Sequence, residues 1–167
     1  AFTGALQRKI GCFEMAHRGT LLLDEISEMD GSLQAKLLRV LQEQSFRRVG
    51  GTEVIDADVR VVAATNREPA EAISSGKLRE DLYYRLNVFN IQLPPLRERP
   101  EDIPLLAQHL AEQSAEGAGT PVPEFDPATL QALVAHRWPG NVRELKNAIE
   151  RATLLCQGGQ ILPEHLP

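Results

Sequence analysis

The stretch TLLLDE (residues 20–25) decides the fold class of this chain, because it is a short apolar run that ends in two carboxylates. Such a run is typical of a strand that is buried on both faces of a parallel sheet. The stretches VRVVAATN (59–66) and VFNIQL (88–93) have the same character and are further candidate strands. Between the first two runs, leucines recur at helical spacing, at Leu33, Leu37, Leu38 and Leu41. The alternation of strand and helix predicts an α/β fold with a parallel sheet.

The second part of the chain has a different organisation. After LPPLRERP (93–100) the sequence predicts helices and loops only. The three helical segments are EDIPLLAQHLAEQ (101–113), PATLQALVAH (127–136) and NVRELKNAIERATLLC (141–156). We therefore predict two domains, an α/β domain over residues 1–96 and a small all-α domain over residues 97–167.

Composition excludes several classes of protein. The chain has 167 residues and 43% hydrophobic content, which is enough for one ordinary domain or one domain with a small satellite. No apolar run approaches a membrane span and no charged-then-apolar leader occurs, so we expect a cytoplasmic protein. Cys12 and Cys156 are too far apart in sequence to predict a metal knuckle or a redox pair.

The distribution of charge bears on nucleic acid binding. The net charge is −5, and the acidic surplus lies in residues 100–167, which hold nine acidic and four basic side chains. Proteins that bind DNA directly usually present a basic face. Direct DNA binding by these residues is therefore disfavoured.

Polar side chains follow the first two predicted strands, where ligands of open parallel sheets usually bind. Asp24 and Glu25 end the first run, and Thr65 and Asn66 end the second. Two adjacent carboxylates can hold a hydrated Mg²⁺ with the first and polarise an attacking water with the second. The alternative is that Asp24 and Glu25 start the next helix, while Asn66 bonds its own backbone in a turn.

Two arginines border a predicted helix in KLREDLYYRL (77–86). If residues 78–86 are helical, the buried stripe consists of leucines, and Arg79 and Arg85 flank it. Both could act as arginine fingers on the nucleotide of a neighbouring subunit. In the alternative, Arg85 forms an exposed salt bridge with Asp81.

A third cation stands in WPGNVREL (138–145). Asn141 is a candidate helix cap, and Glu144 would complete a capping box. Arg143 then lies in the first turn, where it could face phosphate together with the helix N-terminus, or be solvated.

Six motifs in one order resemble the central AAA+ domain of bacterial enhancer-binding proteins, the NtrC-like activators of sigma-54 RNA polymerase. The resemblance covers essentially all 167 residues. AFTGA (1–5) resembles the family's GAFTGA loop, GTLLLDEI (19–26) its Walker B motif and VRVVAATNR (59–67) its sensor I strand. REDLYYRL (79–86) resembles its arginine-finger helix, LPPLRERPEDIPLL (93–106) the join to the lid and WPGNVREL (138–145) its sensor II. The implied fold is an incomplete AAA+ parallel-sheet α/β sandwich followed by a small all-α lid.

The resemblance implies an ATPase that uses ATP and Mg²⁺. Asp24 would help to hold Mg²⁺ and Glu25 would activate water. Thr65 and Asn66 would sense the γ-phosphate, and Arg79 and Arg85 would act in trans on the adjacent subunit. Arg143 would report the nucleotide to the lid.

The resemblance also implies a partner and an assembly. Phe2, Thr3 and Gly4 would contact sigma-54, and the intact protein would form a ring of six or seven subunits that remodels the closed promoter complex. DNA would be bound only by a C-terminal domain beyond these residues.

The P-loop pattern Gly-x-x-x-x-Gly-Lys-[Ser/Thr] does not occur in the 167 residues. The family carries it before the GAFTGA loop, so we expect the chain to be truncated at its N-terminus and inactive alone. Two alternatives remain open, an AAA+ ATPase of another clade, such as a helicase loader or chelatase subunit, and a non-catalytic fragment that contacts sigma-54.

Overall fold

The computed structural model describes residues 10–48 and 51–167, and the chain divides into two compact units, Ala1–Ile91 and Gln92–Pro167. The described helices and strands of the first unit are α1 (Cys12–Met15), β1 (Thr20–Leu23), α2 (Gly31–Glu43), β2 (Ser45–Arg47), β3 (Val54–Asp56), β4 (Arg60–Ala63), α3 (Pro69–Ser74) and α4 (Glu80–Leu86). Those of the second unit are α5 (Ile103–Ala118), β5 (Glu124–Phe125), α6 (Pro127–Ala135), α7 (Asn141–Leu155) and β6 (Gln160–Ile161).

The first two predicted strands are confirmed and pair with each other. β1 and β4 run parallel, with Thr20 opposite Arg60 and Leu23 opposite Ala63. β2 and β3 form a separate antiparallel hairpin. The mixed α/β class of the first unit is therefore confirmed.

The helices of the first unit pack through the leucines that the sequence singled out, except for Leu33, which is exposed. Leu37 of α2 is buried together with Leu78 and Leu82, which the predicted stripe of residues 78–86 contains. The helix itself is α4 and begins at Glu80, because Arg79 is in an extended conformation (φ −70°, ψ 132°). Asp30 caps α2, since its carboxylate accepts hydrogen bonds from the backbone N–H groups of Ser32 and Leu33.

The third predicted strand, VFNIQL (88–93), is wrong. This segment has no strand in the structure, and its apolar side chains are among the most exposed of the described residues, at 88% for Val88 and 84% for Phe89. Apolar β-type residues favour a strand only where a neighbouring strand supplies hydrogen-bond partners. Among the described residues, no strand lies alongside 88–93.

The second unit contains the three predicted helices. Its buried core includes Ile103 and Ala107 of α5, Leu133 of α6, and Leu145 and Ile149 of α7. One feature was missed, because the sequence predicts no strand here and the structure contains a short parallel pair of β5 with β6. Two residues per strand are too few to produce a periodic pattern in the sequence.

Within the described part of the chain, no helix is both long enough and apolar enough to cross a membrane.

Candidate functional site

The parallel register of β1 and β4 brings the two predicted polar pairs to the same edge of the sheet. Beyond the strands, the backbone N–H of Ala64 donates to the carbonyl of Leu23 (2.8 Å), and that of Ile26 donates to the carbonyl of Ala64 (3.1 Å). Asp24-Glu25 and Thr65-Asn66 therefore leave the sheet as neighbours.

Glu25 has a left-handed backbone conformation (φ 51°, ψ 48°). Left-handed backbone at a residue other than glycine costs roughly 1–3 kcal/mol and is enriched at functional sites, although five other described non-glycine residues of this chain also have a positive φ. The carboxylate of Asp24 accepts the backbone N–H of Glu25 (3.0 Å), and the turn that follows is closed by the backbone N–H of Glu28, which donates to the carbonyl of Glu25 (2.8 Å). Both side chains are exposed, so their carboxylates are accessible to a ligand.

Asp24 and Glu25 do not start an α-helix, so the alternative prediction for these carboxylates is wrong. The element that follows Glu25 is a single 3₁₀ turn, Ile26–Glu28, for which the Glu25 side chain makes no capping hydrogen bond. The next α-helix, α2, starts six residues later and is capped by Asp30.

Thr65 is tied to the segment after Glu25 by its hydroxyl group. Its Oγ1 lies 3.0 Å from Oγ of Ser27, which is 1% exposed, and it accepts the backbone N–H of Arg67 (3.2 Å). The turn at the end of this strand thus forms around the hydroxyl of Thr65 and not around the side chain of Asn66, as the alternative had predicted. In the described residues, no hydrogen bond or ion pair involves the side chain of Asn66.

A salt bridge reinforces the same connection. Nε of Arg67 donates to the carboxylate of Glu28 (2.7 Å). This hydrogen bond holds the pKa of Glu28 below its ordinary value. Ser27, Glu28 and Arg67 could not be predicted from the sequence, because a single serine or an exposed ion pair has no spacing signature. Their position next to Asp24-Glu25 and Thr65-Asn66 in the sequence is the signal that could have indicated these three residues.

The two candidate arginine fingers are held in different ways. Arg79 donates from Nε (3.0 Å) and Nη2 (2.7 Å) to the two oxygens of Asp81, a bidentate pair in which each side chain is 47% exposed. This contact lowers the pKa of Asp81 and raises that of Arg79. Arg85 instead donates from Nη2 to the backbone carbonyl of Leu41 in α2 (2.8 Å).

The predicted salt bridge between Arg85 and Asp81 is therefore wrong. Asp81 pairs with Arg79, since the extended backbone of Arg79 lets its guanidinium fold over the first turn of α4. If Arg79 had been helical, its side chain would have lain on the helix surface, and Asp81 could have paired with Arg85 one turn later.

Arg143 lies in the first turn of α7, in the second unit, and is exposed. In the described residues, no hydrogen bond or ion pair involves its side chain. The predicted capping box around Asn141 is wrong. The N-cap is Gly140, whose backbone N–H donates to the carboxylate of Glu144 (2.7 Å), and the side chain of Asn141 accepts the backbone N–H of Leu96 (2.8 Å) instead of capping α7.

The predicted sigma-factor contacts, Phe2, Thr3 and Gly4, lie outside the residues that the structure describes.

Two family models match the chain. The model of the sigma-54 interaction domain matches residues 1–92, and that of the AAA+ ATPase lid domain matches residues 97–167.

Curated relatives and a solved structure agree with these matches. The regulatory protein AtoC of Escherichia coli (strain K12) is 51% identical over 167 residues, which is 100% of this chain and 36% of AtoC. The formate hydrogenlyase transcriptional activator FhlA of the same organism is 53% identical over 100% of this chain and 24% of its own length. NtrX from Brucella abortus in complex with ATP has a TM-score of 0.90 at 41% identity, over 99% of this chain and 40% of that chain. The chain thus spans well under half the length of the relatives it matches.

Proposed function

The chain belongs to the sigma-54 interaction domain family, and on that premise we propose that it is the ATP-hydrolysing AAA+ module of a sigma-54-dependent transcriptional activator, with an α/β domain over residues 1–96 and a helical lid over residues 97–167. The observation that carries the proposal is the pair of parallel strands that delivers Asp24-Glu25 and Thr65-Asn66 to one edge. The likeness to NtrX, which was solved in complex with ATP, supports a nucleotide at this edge.

The described donors fit Mg²⁺ that is held jointly by protein and nucleotide. Protein sites for Mg²⁺ usually combine one or two carboxylates with phosphate oxygens and water. Asp24 is an exposed carboxylate at the strand end, whereas the described residues contain no group of three or more His, Cys, Asp or Glu side chains that could hold a metal ion. We assign Asp24 to Mg²⁺ on these grounds. When bound, Mg-ATP would supply the phosphoryl group that water attacks.

The remaining residues of the site have separate roles in the proposal. Glu25 orients the attacking water and takes its proton. Thr65 and Asn66 sense the γ-phosphate. Arg79 and Arg85 act across a subunit interface on the transferred charge, and Arg143 reports the nucleotide to the lid.

The proposal includes partners of the whole protein. Phe2, Thr3 and Gly4 would contact sigma-54, and subunits would assemble into a hexamer or heptamer that remodels the closed complex of RNA polymerase in the cytoplasm. DNA would be bound by another part of the protein. The match to the sigma-54 interaction domain supports this reading over a helicase loader or a chelatase subunit.

The experiment mixes variants of a longer protein that carries these residues together with a P-loop. Glu25→Gln should bind nucleotide but lose turnover, because an amide cannot take a proton from water. Arg79→Ala and Arg85→Ala should lose turnover as well. Mixing either arginine variant with Glu25→Gln should restore part of it, since some interfaces then pair an intact Glu25 with an intact arginine.

The control variant is Arg39→Ala, which removes an exposed arginine of α2 whose partner among the described residues is Glu43. It should leave turnover unchanged. If mixed rings form and no mixing ratio restores turnover, the assignment of Arg79 and Arg85 across the interface must be withdrawn.

A further inference from the structure

Gln34 is a buried polar side chain in the first turn of α2, and it is 2% exposed. Its Nε2 donates to the backbone carbonyls of Met29 (2.9 Å) and Lys77 (2.8 Å). Its Oε1 accepts the backbone N–H of Arg79 (2.9 Å). One carboxamide therefore joins the segment before α2 to the segment that leads into α4.

These three hydrogen bonds fix the position and the orientation of the backbone at Arg79. The carboxamide is planar, so its donor and its acceptor can both be satisfied only when residues 77–79 lie in one arrangement beside α2. A fully bonded buried polar group specifies a unique packing, whereas an apolar side chain of the same size would leave the carbonyls of Met29 and Lys77 and the N–H of Arg79 without partners.

The guanidinium of Arg79 depends on this backbone anchor. The carbonyl of Arg79 accepts the N–H of Tyr83 (3.0 Å), so the residue is held at both of its backbone polar groups. Its side chain bonds Asp81, which is also part of α4. A shift of the segment at residues 77–79 would thus move the guanidinium together with the start of α4.

Helix α2 contacts both candidate fingers. Near its beginning, Gln34 bonds the backbone of Arg79, and near its end, the carbonyl of Leu41 accepts the side chain of Arg85. We propose that Gln34 is a positioning residue that sets where Arg79 projects from the subunit, with α2 as the common support of Arg79 and Arg85. The expected effect of Gln34 on turnover rests on the proposed function, whereas its effect on the position of Arg79 does not.

The structural claim is tested on the 167-residue chain by amide hydrogen exchange in NMR. The backbone amide of Arg79 precedes a helix, where amides usually lack an intramolecular partner. It should nevertheless be protected in the wild type, and Gln34→Met should speed its exchange by about tenfold or more, as expected for the loss of one buried hydrogen bond. Exchange of the wild-type Arg79 amide at the rate of an unstructured peptide would overturn the inference, and this result needs no variant to fold.

The functional claim is tested in rings of a longer protein that carries a P-loop. Gln34→Met should lower kcat towards the value of Arg79→Ala while the Kd for nucleotide stays unchanged. Mixing with Glu25→Gln subunits should restore turnover, which a subunit that is merely destabilised would not do. Thr129→Val is the matched control, because Thr129 is 0% exposed and donates one buried hydrogen bond, to the carbonyl of Ile161 (2.9 Å), in the second unit. It should keep the wild-type kcat.

The outcomes separate this inference from the proposed function. Wild-type kcat in Gln34→Met, beside a loss of turnover in Arg79→Ala, would overturn the positioning role. Full turnover in Arg79→Ala would refute the finger itself, and the exchange rate of the Arg79 amide would then decide the structural claim alone.

Discussion

The contacts of Arg79 and Asp81 show how a single residue can depart from the geometry of the helix next to it. Both oxygens of Asp81 accept hydrogen bonds from Arg79, and one of them also accepts the backbone N–H of Leu82 (2.8 Å). Asp81 is therefore a member of the first turn of α4 and the counter-charge of a candidate finger. Any phosphate that engages Arg79 has to compete with this carboxylate.

The pKa of Asp81 is expected to lie below the value of about 3.9 that is usual for aspartate. The hydrogen bonds from Arg79 are the main cause. Because the folded-state pKa is lowered, the pair stabilises the fold above the unfolded-state pKa, and this contribution is lost as pH falls through the folded-state pKa. An NMR titration of the carboxyl carbons measures it, and Arg79→Gln should return the pKa of Asp81 towards the usual value.

Asp30 is the internal control for this titration. Its pKa is lowered mainly by the hydroxyl of Ser32 and should stay lowered in Arg79→Gln. A wild-type Asp81 that titrates at the usual value would show that the bidentate contact does not persist in solution.

At the scale of single residues, the sequence singles out the residues of the candidate site but not their contacts. Asp24, Glu25 and Thr65 could be singled out because they follow apolar runs. The partner of Arg85 could not, since helical spacing offers Asp81 and only the folded chain brings the carbonyl of Leu41 within reach. Gln34 was missed because a buried glutamine inside an amphipathic helix reads as a polar surface position.

At the scale of elements, a predicted strand forms only where a second strand lies beside it and supplies hydrogen-bond partners. β1 and β4 were predicted from their composition, and they form because each provides the other's hydrogen-bond partners. The segment 88–93 is also rich in apolar β-type residues, and it has no strand partner among the described residues. Composition reports the preference of a segment, while pairing depends on residues that are distant in sequence.

The beginning of α7 is fixed by close contact between Gly140 and Glu144. A Cβ atom at position 140 would lie 2.8 Å from Cβ of Glu144, whose carboxylate bonds the N–H of Gly140. Gly140→Ala should therefore destabilise the second unit by about 1–3 kcal/mol through overpacking, and it should disturb the turn that carries Arg143. Urea denaturation followed by the fluorescence of Trp138, the single tryptophan of the chain, measures this change.

Gly117→Ala is the matched control for Gly140→Ala. Gly117 lies inside α5, and a Cβ atom there would meet no other atom within 4 Å. This substitution should be neutral or stabilise by roughly 0.5–1 kcal/mol, because alanine is the better helix former. Equal stability of Gly140→Ala and the wild type would contradict the role of the close contact.

At the scale of the whole molecule, the residues of the proposed ATPase are distributed over two units, and the pattern for a P-loop is in neither. In the proposed site the carboxylates would act on Mg²⁺ and water and the arginines on the transferred phosphate, but the backbone and lysine of a P-loop supply most of the phosphate binding. We therefore expect the 167-residue chain to show no micromolar affinity for Mg-ATP. Calorimetric titration measures this affinity, and a longer protein that includes a P-loop is the positive control. Micromolar binding by the chain alone would contradict the expectation.

The segment AFTGA is expected to couple hydrolysis to sigma-54 and to take no part in hydrolysis itself. Phe2 is a large apolar side chain between small neighbours in the sequence. An aromatic side chain that is presented to a partner often dominates the contact. Phe2→Ala in a full-length protein should then leave melting and ATP turnover near normal while it abolishes retention of sigma-54. If Phe2 were a core residue, its loss should cost about 3–5 kcal/mol and lower the melting temperature and turnover together.

Phe13→Ala provides the reference for a structural phenylalanine in this comparison. Phe13 packs against the core of the first unit, and its ring lies 6.4 Å from that of Phe46. Its loss should lower the melting temperature, and sigma-54 should still be retained by the fraction of the protein that remains folded. The two substitutions remove the same side chain, so a difference between them in sigma-54 retention cannot come from the loss of hydrophobic volume alone. A Phe2→Ala protein that melts early and still retains sigma-54 would refute the contact and assign Phe2 to the core.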